Sequence, residues 1–197
     1  MKVSNSPRKH LYYTSVFATP VNALLVVDPE GKLYYASLGQ NITNLQNLLV
    51  KDFQHQKHVQ LKPLSTIHDK CKATETVERF KQLIEDPRKP QEFTIEIIFG
   101  TRLQRRIWQE LMKMPIGEVK TYTQIADGLN LSGKYARVIG AGCSSNRIAI
   151  VVPCHRVVGS DKQLTGYRYG KDTKAYLLKH ELGDKLLEIG LASDGAL

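Results

Sequence analysis

A cysteine and a histidine stand next to each other where an apolar stretch of the chain ends. Residues 148–152 have the composition of a buried strand, and Pro153 breaks regular pairing just before Cys154 and His155. A thiolate is a strong nucleophile, and a neighbouring imidazole raises its population. Because consecutive strand residues point to opposite faces, a direct contact between the two side chains needs a local turn; otherwise a water bridges them. A buried cysteine beside a structural histidine is the alternative.

The other two cysteines extend this pair into neither a disulfide framework nor a metal site. Cys71 and Cys143 bring the count to three, and the first residues contain no secretory apolar stretch, so we expect reduced thiols. No two cysteines have Cys-x-x-Cys spacing, and no histidine cluster completes a set of zinc ligands. The sequence therefore predicts no metal and no cofactor.

Positive charge is concentrated in the second half of the chain. The sequence has 28 Lys and Arg against 19 Asp and Glu, a net charge of +9, and residues 102–174 contain 13 basic and 5 acidic residues. Such a field attracts polyanions, which makes nucleic acid the leading candidate partner. A merely solubilising surface is the alternative. An anionic membrane is a weaker candidate, because the sequence contains no basic amphipathic helix.

The apolar spacing after Gly100 predicts short helices, separated by proline- and glycine-containing turns. They are a helix capped by Thr101 and ended at residues 114–117, a second opened by Thr121 or Thr123, and a third over residues 135–144. The second and third form a candidate helix-turn-helix with a basic start to its last helix. Many helix pairs of this kind never touch DNA.

The first half of the chain predicts a small α+β unit without chemistry of its own. Strands are predicted at residues 11–17, 23–28, 32–36 and 93–99, and helices at Ile42–Phe53 and residues 74–85. We therefore divide the chain into a sheet-plus-helix scaffold domain, residues 1–98, and a mainly helical domain, residues 99–197. In the second domain a short strand is expected to lead to Cys154. The fold class is α+β.

The pentapeptide Pro-Cys-His-Arg-Val at residues 153–157 stands within a series of further motifs. In chain order they are residues 99–101 with Gln104 and Trp108, residues 117–122 with Ile125 and Ala126, residues 136–140, Asn146, residues 165–167, and Lys174 with Leu177, Leu178 and Glu181. Together they resemble the C-terminal domain of the O6-alkylguanine-DNA alkyltransferases, the methylated-DNA–protein-cysteine methyltransferases. Several ordered motifs at family-like spacing are more specific than one pentapeptide.

This resemblance implies a suicide DNA repair protein. Cys154 would take the alkyl group from O6-alkylguanine, and also from O4-alkylthymine, as a thioether that cannot be hydrolysed, so each molecule acts once. His155 would act through a water as the base for the thiol, and Glu181 would orient the imidazole. Asn146 would hold the turn near the nucleophile. Tyr122 would donate a hydrogen bond to the guanine ring as negative charge develops there.

The resemblance also implies that the damaged base leaves the duplex. An embedded thiol cannot reach the O6 group inside stacked DNA, so the base is flipped while the helix-turn-helix binds the minor groove. Arg137 would enter the base stack. The small residues at 140–142 either allow close approach to the groove or pack on another helix. The DNA-binding residues implied are Tyr122, Ala136, Arg137, Gly140 and Ser160.

Two departures from the family pattern bear on the substrate pocket and on metal binding. The implied pocket residues are Val157, Tyr167, Arg168 and Lys174. Where the family has a glycine pair after the Gly-Tyr motif, this chain has Arg168 and Tyr169, a bulky rim that would narrow the alkyl pocket. Some members bind a structural zinc in the N-terminal domain, but no cysteine precedes Cys71 here, so we predict none.

Three other classes compete with this interpretation. Alkyltransferase-like lesion sensors lack the acceptor cysteine, whereas Cys154 is present. A transcriptional regulator would need an effector or dimer module, which the first half does not offer. A cysteine hydrolase would turn over without a permanent adduct. We expect a soluble intracellular monomer that binds double-stranded DNA with alkylated guanine and no membrane, in the nucleus if the source is eukaryotic and in the cytoplasm otherwise; cooperativity on DNA stays open.

Overall fold

A four-stranded mixed sheet forms most of the first half of the protein. The computed structural model describes residues 8–69, 71–161, 164 and 166–188. Strands β1 (Lys9–Val16), β2 (Asn22–Val27) and β3 (Leu33–Gly39) form an antiparallel meander, and β4 (Val59–Pro63) adds to β1 in parallel, giving the order β3-β2-β1-β4. The predicted meander is confirmed, and β4 is an addition that the sequence analysis missed.

Two helices flank this sheet, and both have apolar residues at helical spacing. Helix α1 (Ile42–Phe53) begins after Asn41, whose side chain accepts a hydrogen bond from the Asn44 N–H, and it buries Leu45, Leu49 and Phe53. Helix α2 (Cys71–Glu85) starts three residues before the predicted position and buries Phe80 and Ile84, among others. The bounds predicted for α1 are confirmed.

The second half is built from short helices, and the starts of the first two are encoded locally. Helix α3 (Arg102–Leu111) and helix α4 (Tyr122–Gly128) both begin with a capping box, formed by Thr101 with Gln104 and by Thr121 with Gln124. Helix α5 (Ala136–Ser144) follows α4 after a turn, as predicted for a helix-turn-helix. The chain continues through α6 (Lys171–Leu182) and α7 (Lys185–Glu188).

A small parallel ribbon holds the start of α4 beside the cysteine motif. Strand β5 (Lys120–Thr121) pairs with β6 (Val157–Val158). Because the two strands are parallel, Tyr122, which directly follows β5, and residues 154–156, which directly precede β6, lie at opposite ends of this two-residue ribbon. The pairing of Lys120 with Val157 ties the segment before α4 to the end of the cysteine motif.

Two predicted strands are wrong. Residues 148–152 form a single bridge from Ile148 to Ala36 of β3 and then turn, with Ile150 at a φ of 64°. Their backbone groups pair within the loop, for example Val152 N with Ile148 O at 3.1 Å, so they cannot form a ladder. The short strand of this region, β6, follows Cys154 instead of leading to it. Residues 93–99 likewise make one bridge, between Ile95 and Leu33.

The buried core is continuous between the two halves. Tyr35 and Phe53 from the first half pack against Phe99, with ring centroids 6.2 and 5.0 Å away. The division near residue 98 stays a prediction. Over the part of the chain that the structure describes, no helix is long and apolar enough to cross a membrane.

Candidate active site and DNA interface

Cys154 lies in a short 3₁₀ turn (Cys154–Arg156), packed among other side chains. The residue is 3% exposed, and Asn146 Nδ2 lies 3.1 Å from its Sγ. The same amide donates to Val152 O at 2.9 Å and to Ile148 O at 3.3 Å, while its Oδ1 accepts from Ile148 N at 2.8 Å. Asn146 therefore ties the loop together and reaches the thiol.

Burial sets the protonation state of this thiol. It raises the pKa of Cys154 to about 11, although the Asn146 hydrogen bond and the positive charge of Lys174 act in the opposite direction. At neutral pH the resting group is a thiol, and a nucleophilic reaction at Cys154 requires a base.

His155, Arg156 and Glu181 form a buried polar cluster beside the cysteine. The Nε2 atom of His155 is 2.9 Å from Glu181 Oε1. Arg156 donates to both Glu181 oxygens, at 2.7 and 2.9 Å, and to Met114 O at 2.6 Å. The 3₁₀ turn directs the consecutive residues 155 and 156 toward the same carboxylate, which a strand would not do.

The charges in this cluster follow from burial and pairing. Burial alone would raise the pKa of Glu181, but the hydrogen bonds from His155 and Arg156 outweigh it and lower the pKa to about 2. Burial lowers the pKa of His155 more than Glu181 raises it, so the imidazole is neutral at pH 7. With Nε2–H donated to the carboxylate, Nδ1 is the basic nitrogen. Within the described chain, Nδ1 is buried and has no hydrogen-bond partner.

Arg156 is a member of this site that the sequence analysis did not single out. It was quoted only as part of the pentapeptide at residues 153–157. A buried arginine needs a counter-ion, and the adjacency of an arginine to the Cys-His pair was the available signal.

Lys174 is fully buried against the other side of the cysteine motif. Its Nζ donates to Val157 O at 2.6 Å, and burial lowers its pKa to about 8, while the proximity of Cys154 and Cys143 acts to raise it. The ring of Tyr167 packs edge-on to His155, with centroids 6.3 Å apart. The structure therefore places three of the four predicted pocket residues, Val157, Tyr167 and Lys174, around the motif; the fourth, Arg168, pairs with a carboxylate of the first half.

Four of the five predicted DNA-binding residues lie in the helices of the helix-turn-helix. Helices α4 and α5 pack together, and Arg137 is exposed at the start of α5 with Ala136 half-buried beside it. Tyr122 is half-buried over α5 at Gly140, where an added Cβ would lie 3.7 Å from the ring. Ser160 is exposed after β6.

Gly142 has a packing role instead of a groove-facing one. A Cβ at this position would lie 2.7 Å from Ile107 Cδ1, and Gly142 O accepts a hydrogen bond from Trp108 Nε1 at 2.9 Å. The small residue lets α3 and α5 approach closely, so for Gly142 the helix-packing alternative holds. Across residues 8–69, 71–161 and 166–188, no cluster of three His, Cys, Asp or Glu side chains could hold a metal ion.

Comparisons with known proteins agree with this geometry. The family model described as "6-O-methylguanine DNA methyltransferase, DNA binding domain" matches residues 102–183. A methylated-DNA–protein-cysteine methyltransferase of Candida albicans is 49% identical over 174 residues, which are 87% of this chain and 97% of the relative. This chain belongs to the methylated-DNA–protein-cysteine methyltransferase family.

Relatives and solved structures of the family extend the match over both halves. The Lodderomyces elongisporus methyltransferase is 43% identical over 190 residues, 89% of this chain and 94% of the relative. The crystal structure of the Mycobacterium tuberculosis O6-methylguanine methyltransferase superposes with a TM-score of 0.65 at 25% identity, covering 90% of this chain and 99% of that one. The M. tuberculosis protein has also been solved in complex with DNA, and that chain superposes with a TM-score of 0.64 at 25% identity, covering 88% of this chain and 92% of that one.

Proposed function

We propose that this protein repairs DNA by transferring the alkyl group of O6-alkylguanine to Cys154, once and irreversibly. One observation carries the proposal. The Asn146 amide lies at the Cys154 sulfur, and the next residue of the same turn, His155, pairs with Glu181. Membership of the methyltransferase family supports the same reaction.

The reaction is an in-line displacement. The Cys154 sulfur donates an electron pair to the alkyl carbon, the bond between that carbon and guanine O6 breaks, and its electrons pass into the guanine ring. The product is a thioether, which has no ready hydrolysis route, so the protein is consumed one molecule per lesion. Repaired guanine is released after it takes up one proton.

The thiol proton must leave before or during attack. With Nε2–H bonded to the Glu181 carboxylate, the Nδ1 atom of His155 is the acceptor for that proton, directly or through a water. Glu181 then faces an imidazolium that its negative charge stabilises, as in other base-assisted nucleophiles. Tyr122, held at the start of α4 by the β5–β6 ribbon, would donate its hydroxyl hydrogen bond to the guanine ring as charge develops.

Base flipping accounts for how a buried thiol meets a base of duplex DNA. Unstacking a nucleotide costs a few kcal/mol, which the basic surface offsets through phosphate contacts and the exposed Arg137 offsets by filling the gap in the stack. Ala136, Gly140 and Ser160 are the further contacts that we propose for the groove and backbone. O4-alkylthymine presents the same alkyl–oxygen bond and is a second proposed substrate.

Intact-protein mass spectrometry tests the proposal directly. After incubation with a duplex that carries one O6-methylguanine, the protein should gain the mass of one methyl group in place of one hydrogen, localised by peptide mapping to Cys154. A duplex with unmodified guanine is the control. Transfer with an unchanged protein mass, or repeated turnover, would overturn the proposal.

Arg137→Ala tests base flipping separately from the chemistry. Transfer from duplex DNA should slow by about a hundredfold, while transfer from the free base O6-benzylguanine should change by less than about twofold, because the free base needs no extrusion. Equal slowing with both substrates would contradict the flipping role. We further propose that the protein acts as a monomer and, in a eukaryotic cell, in the nucleus.

A further inference from the structure

The carboxylate of Asp52 is buried between two arginines from the other half of the chain. Asp52 is the penultimate residue of α1, and its side chain is 4% exposed. Arg168 NH2 lies 2.9 and 2.7 Å from the two carboxylate oxygens, and Tyr35 OH donates to Oδ2 at 3.1 Å. Arg147 Nε lies 2.8 Å from Oδ1 as an ion pair without the alignment of a hydrogen bond.

The first arginine connects Asp52 to the acceptor thiol. Arg147 directly follows Asn146, whose amide lies 3.1 Å from Cys154 Sγ. The Arg147 guanidinium also donates to Ser145 O at 2.7 Å, so the side chain binds the backbone on the other side of Asn146. The backbone of Arg147 is fixed to the sheet as well, because its carbonyl accepts from Ala36 N at 2.9 Å.

The second arginine, Arg168, connects Asp52 to the residues packed against His155. Arg168 stands between Tyr167, whose ring packs on His155, and Tyr169. The Tyr169 hydroxyl lies 3.0 Å from Asn146 O and 3.1 Å from Ala36 O. Both Arg147 and Arg168 therefore connect the Asp52 carboxylate to residues around the reacting thiol.

A buried ion pair of this kind contributes more to geometry than to net stability. Its attraction is largely offset by the desolvation of the charges, whereas removal of one partner leaves the others buried and unpaired. We propose that Asp52 is a positioning residue for alkyl transfer: by holding Arg147 and Arg168, it fixes the Asn146 amide and the Tyr167–His155 contact around Cys154. The inference rests on the proposed function, and it gives the first half of the chain a part in the reaction beyond that of a scaffold.

The test is single-turnover methyl transfer from an O6-methylguanine duplex, measured over a range of DNA concentrations. Asp52→Asn keeps the size and one acceptor but loses the charge that pairs both arginines. The maximal rate should fall about tenfold, because small misplacements of reacting groups are expensive. The half-saturating DNA concentration should stay within about twofold, because the residues that pair with Asp52, namely Tyr35, Arg147 and Arg168, are not among those proposed to contact DNA.

Arg168→Gln is a milder second variant, since Arg147 still pairs with Asp52. It should lower the maximal rate severalfold. A variant that combines Asp52→Asn and Arg168→Gln should be no slower than Asp52→Asn alone, because both substitutions break the same ion pair. If Asp52→Asn does not fold, Arg168→Gln decides: an unchanged maximal rate in that variant would overturn the inference.

Asp28→Asn is the matched control. Asp28 is a buried carboxylate of the same half, and it accepts from Tyr34 OH and Lys32 N, both at 2.9 Å. Both variants should melt at lower temperature, but only Asp52→Asn should lower the maximal rate. Equal slowing in the control, or an unchanged rate in Asp52→Asn, would overturn the inference. Failure of the unsubstituted protein to take up a methyl group would instead remove the proposed function, and this inference with it.

Discussion

Cys143 and Cys154 are two buried thiols in the same half of the protein, and only one has the surroundings of a nucleophile. Cys143 lies on α5 and is 7% exposed; Cys154 lies in the 3₁₀ turn and is 3% exposed. Burial raises the pKa of both thiols, and that of Cys143 more. The charge of Lys174 lowers the pKa of both, so it does not distinguish them.

The distinguishing features are the Asn146 amide and the turn. A side-chain N–H reaches the Cys154 sulfur, whereas within the described residues no side-chain donor reaches Cys143. The turn also sets His155 beside Cys154, with Glu181 behind it. In the proposed mechanism, burial by itself leaves a cysteine inert, and a nearby donor and base make it reactive.

Exchange of the two cysteines for alanine is the strongest test of this contrast. Cys154→Ala should abolish methyl transfer, because no other sulfur has the donor and the base. Cys143→Ala removes a buried thiol of the same size and should retain transfer. Intact mass after incubation with O6-methylguanine DNA gives both results, and a methyl group found on Cys154→Ala would break the contrast.

Loss of the carboxylate should have the next largest effect. Glu181→Gln keeps the shape but removes the charge that favours imidazolium, so transfer should slow about a hundredfold. Because Glu181 raises the pKa of His155, its removal lowers that pKa, and the acid limb of the pH–rate profile should move to lower pH. Glu110→Gln, in α3, is the control: this carboxylate pairs with Lys113 and faces Gly128 of α4, and its loss should leave rate and profile unchanged. A profile that stays in place would rule out His155 as the base.

Asn146→Ala should make Cys154 resemble Cys143. Transfer should slow about tenfold, because the variant loses the amide that lowers the pKa of the thiol. The free energy of unfolding should fall by about 1–3 kcal/mol, since Ile148 N loses its partner and Val152 O keeps only the Cys154 N–H. Chemical denaturation and single-turnover kinetics measure the two effects. An unchanged rate despite lower stability would show that the amide serves the loop alone.

Lys174→Met should change the pH dependence of stability. The pKa of Lys174 is lowered to about 8 by burial, against an ordinary value of about 10.4 when unfolded. Between these values the unfolded chain holds a proton on Lys174 that the folded chain lacks, so the contribution of Lys174 to the free energy of unfolding rises with pH, by up to about 3 kcal/mol. Urea unfolding of the unsubstituted protein and of Lys174→Met at both ends of this window should show that the difference between their free energies of unfolding changes by this amount; a constant difference would contradict the prediction.

Local signals were sufficient for much of the fold. The bounds of α1, the capping boxes of α3 and α4, and the helix-turn-helix follow from apolar spacing and cap residues within a few positions of each other. The chemistry proposed for Cys154 and His155 also came from the sequence, because the pentapeptide at residues 153–157 belongs to an ordered series of family motifs. Such features depend on residues that are close together in the chain, so the sequence alone is enough to predict them.

Tertiary structure decided the rest, because the partners lie far apart in the chain. Residues 148–152 have the composition of a strand, yet they form a turn, because Ile148 bridges to β3 and Asn146 bonds to the backbone of Val152. Arg156 meets Glu181 across 25 positions, and Arg168 meets Asp52 across 116. A charged residue in a sequence gives no sign of which distant charge will share its burial, and only the folded chain pairs them.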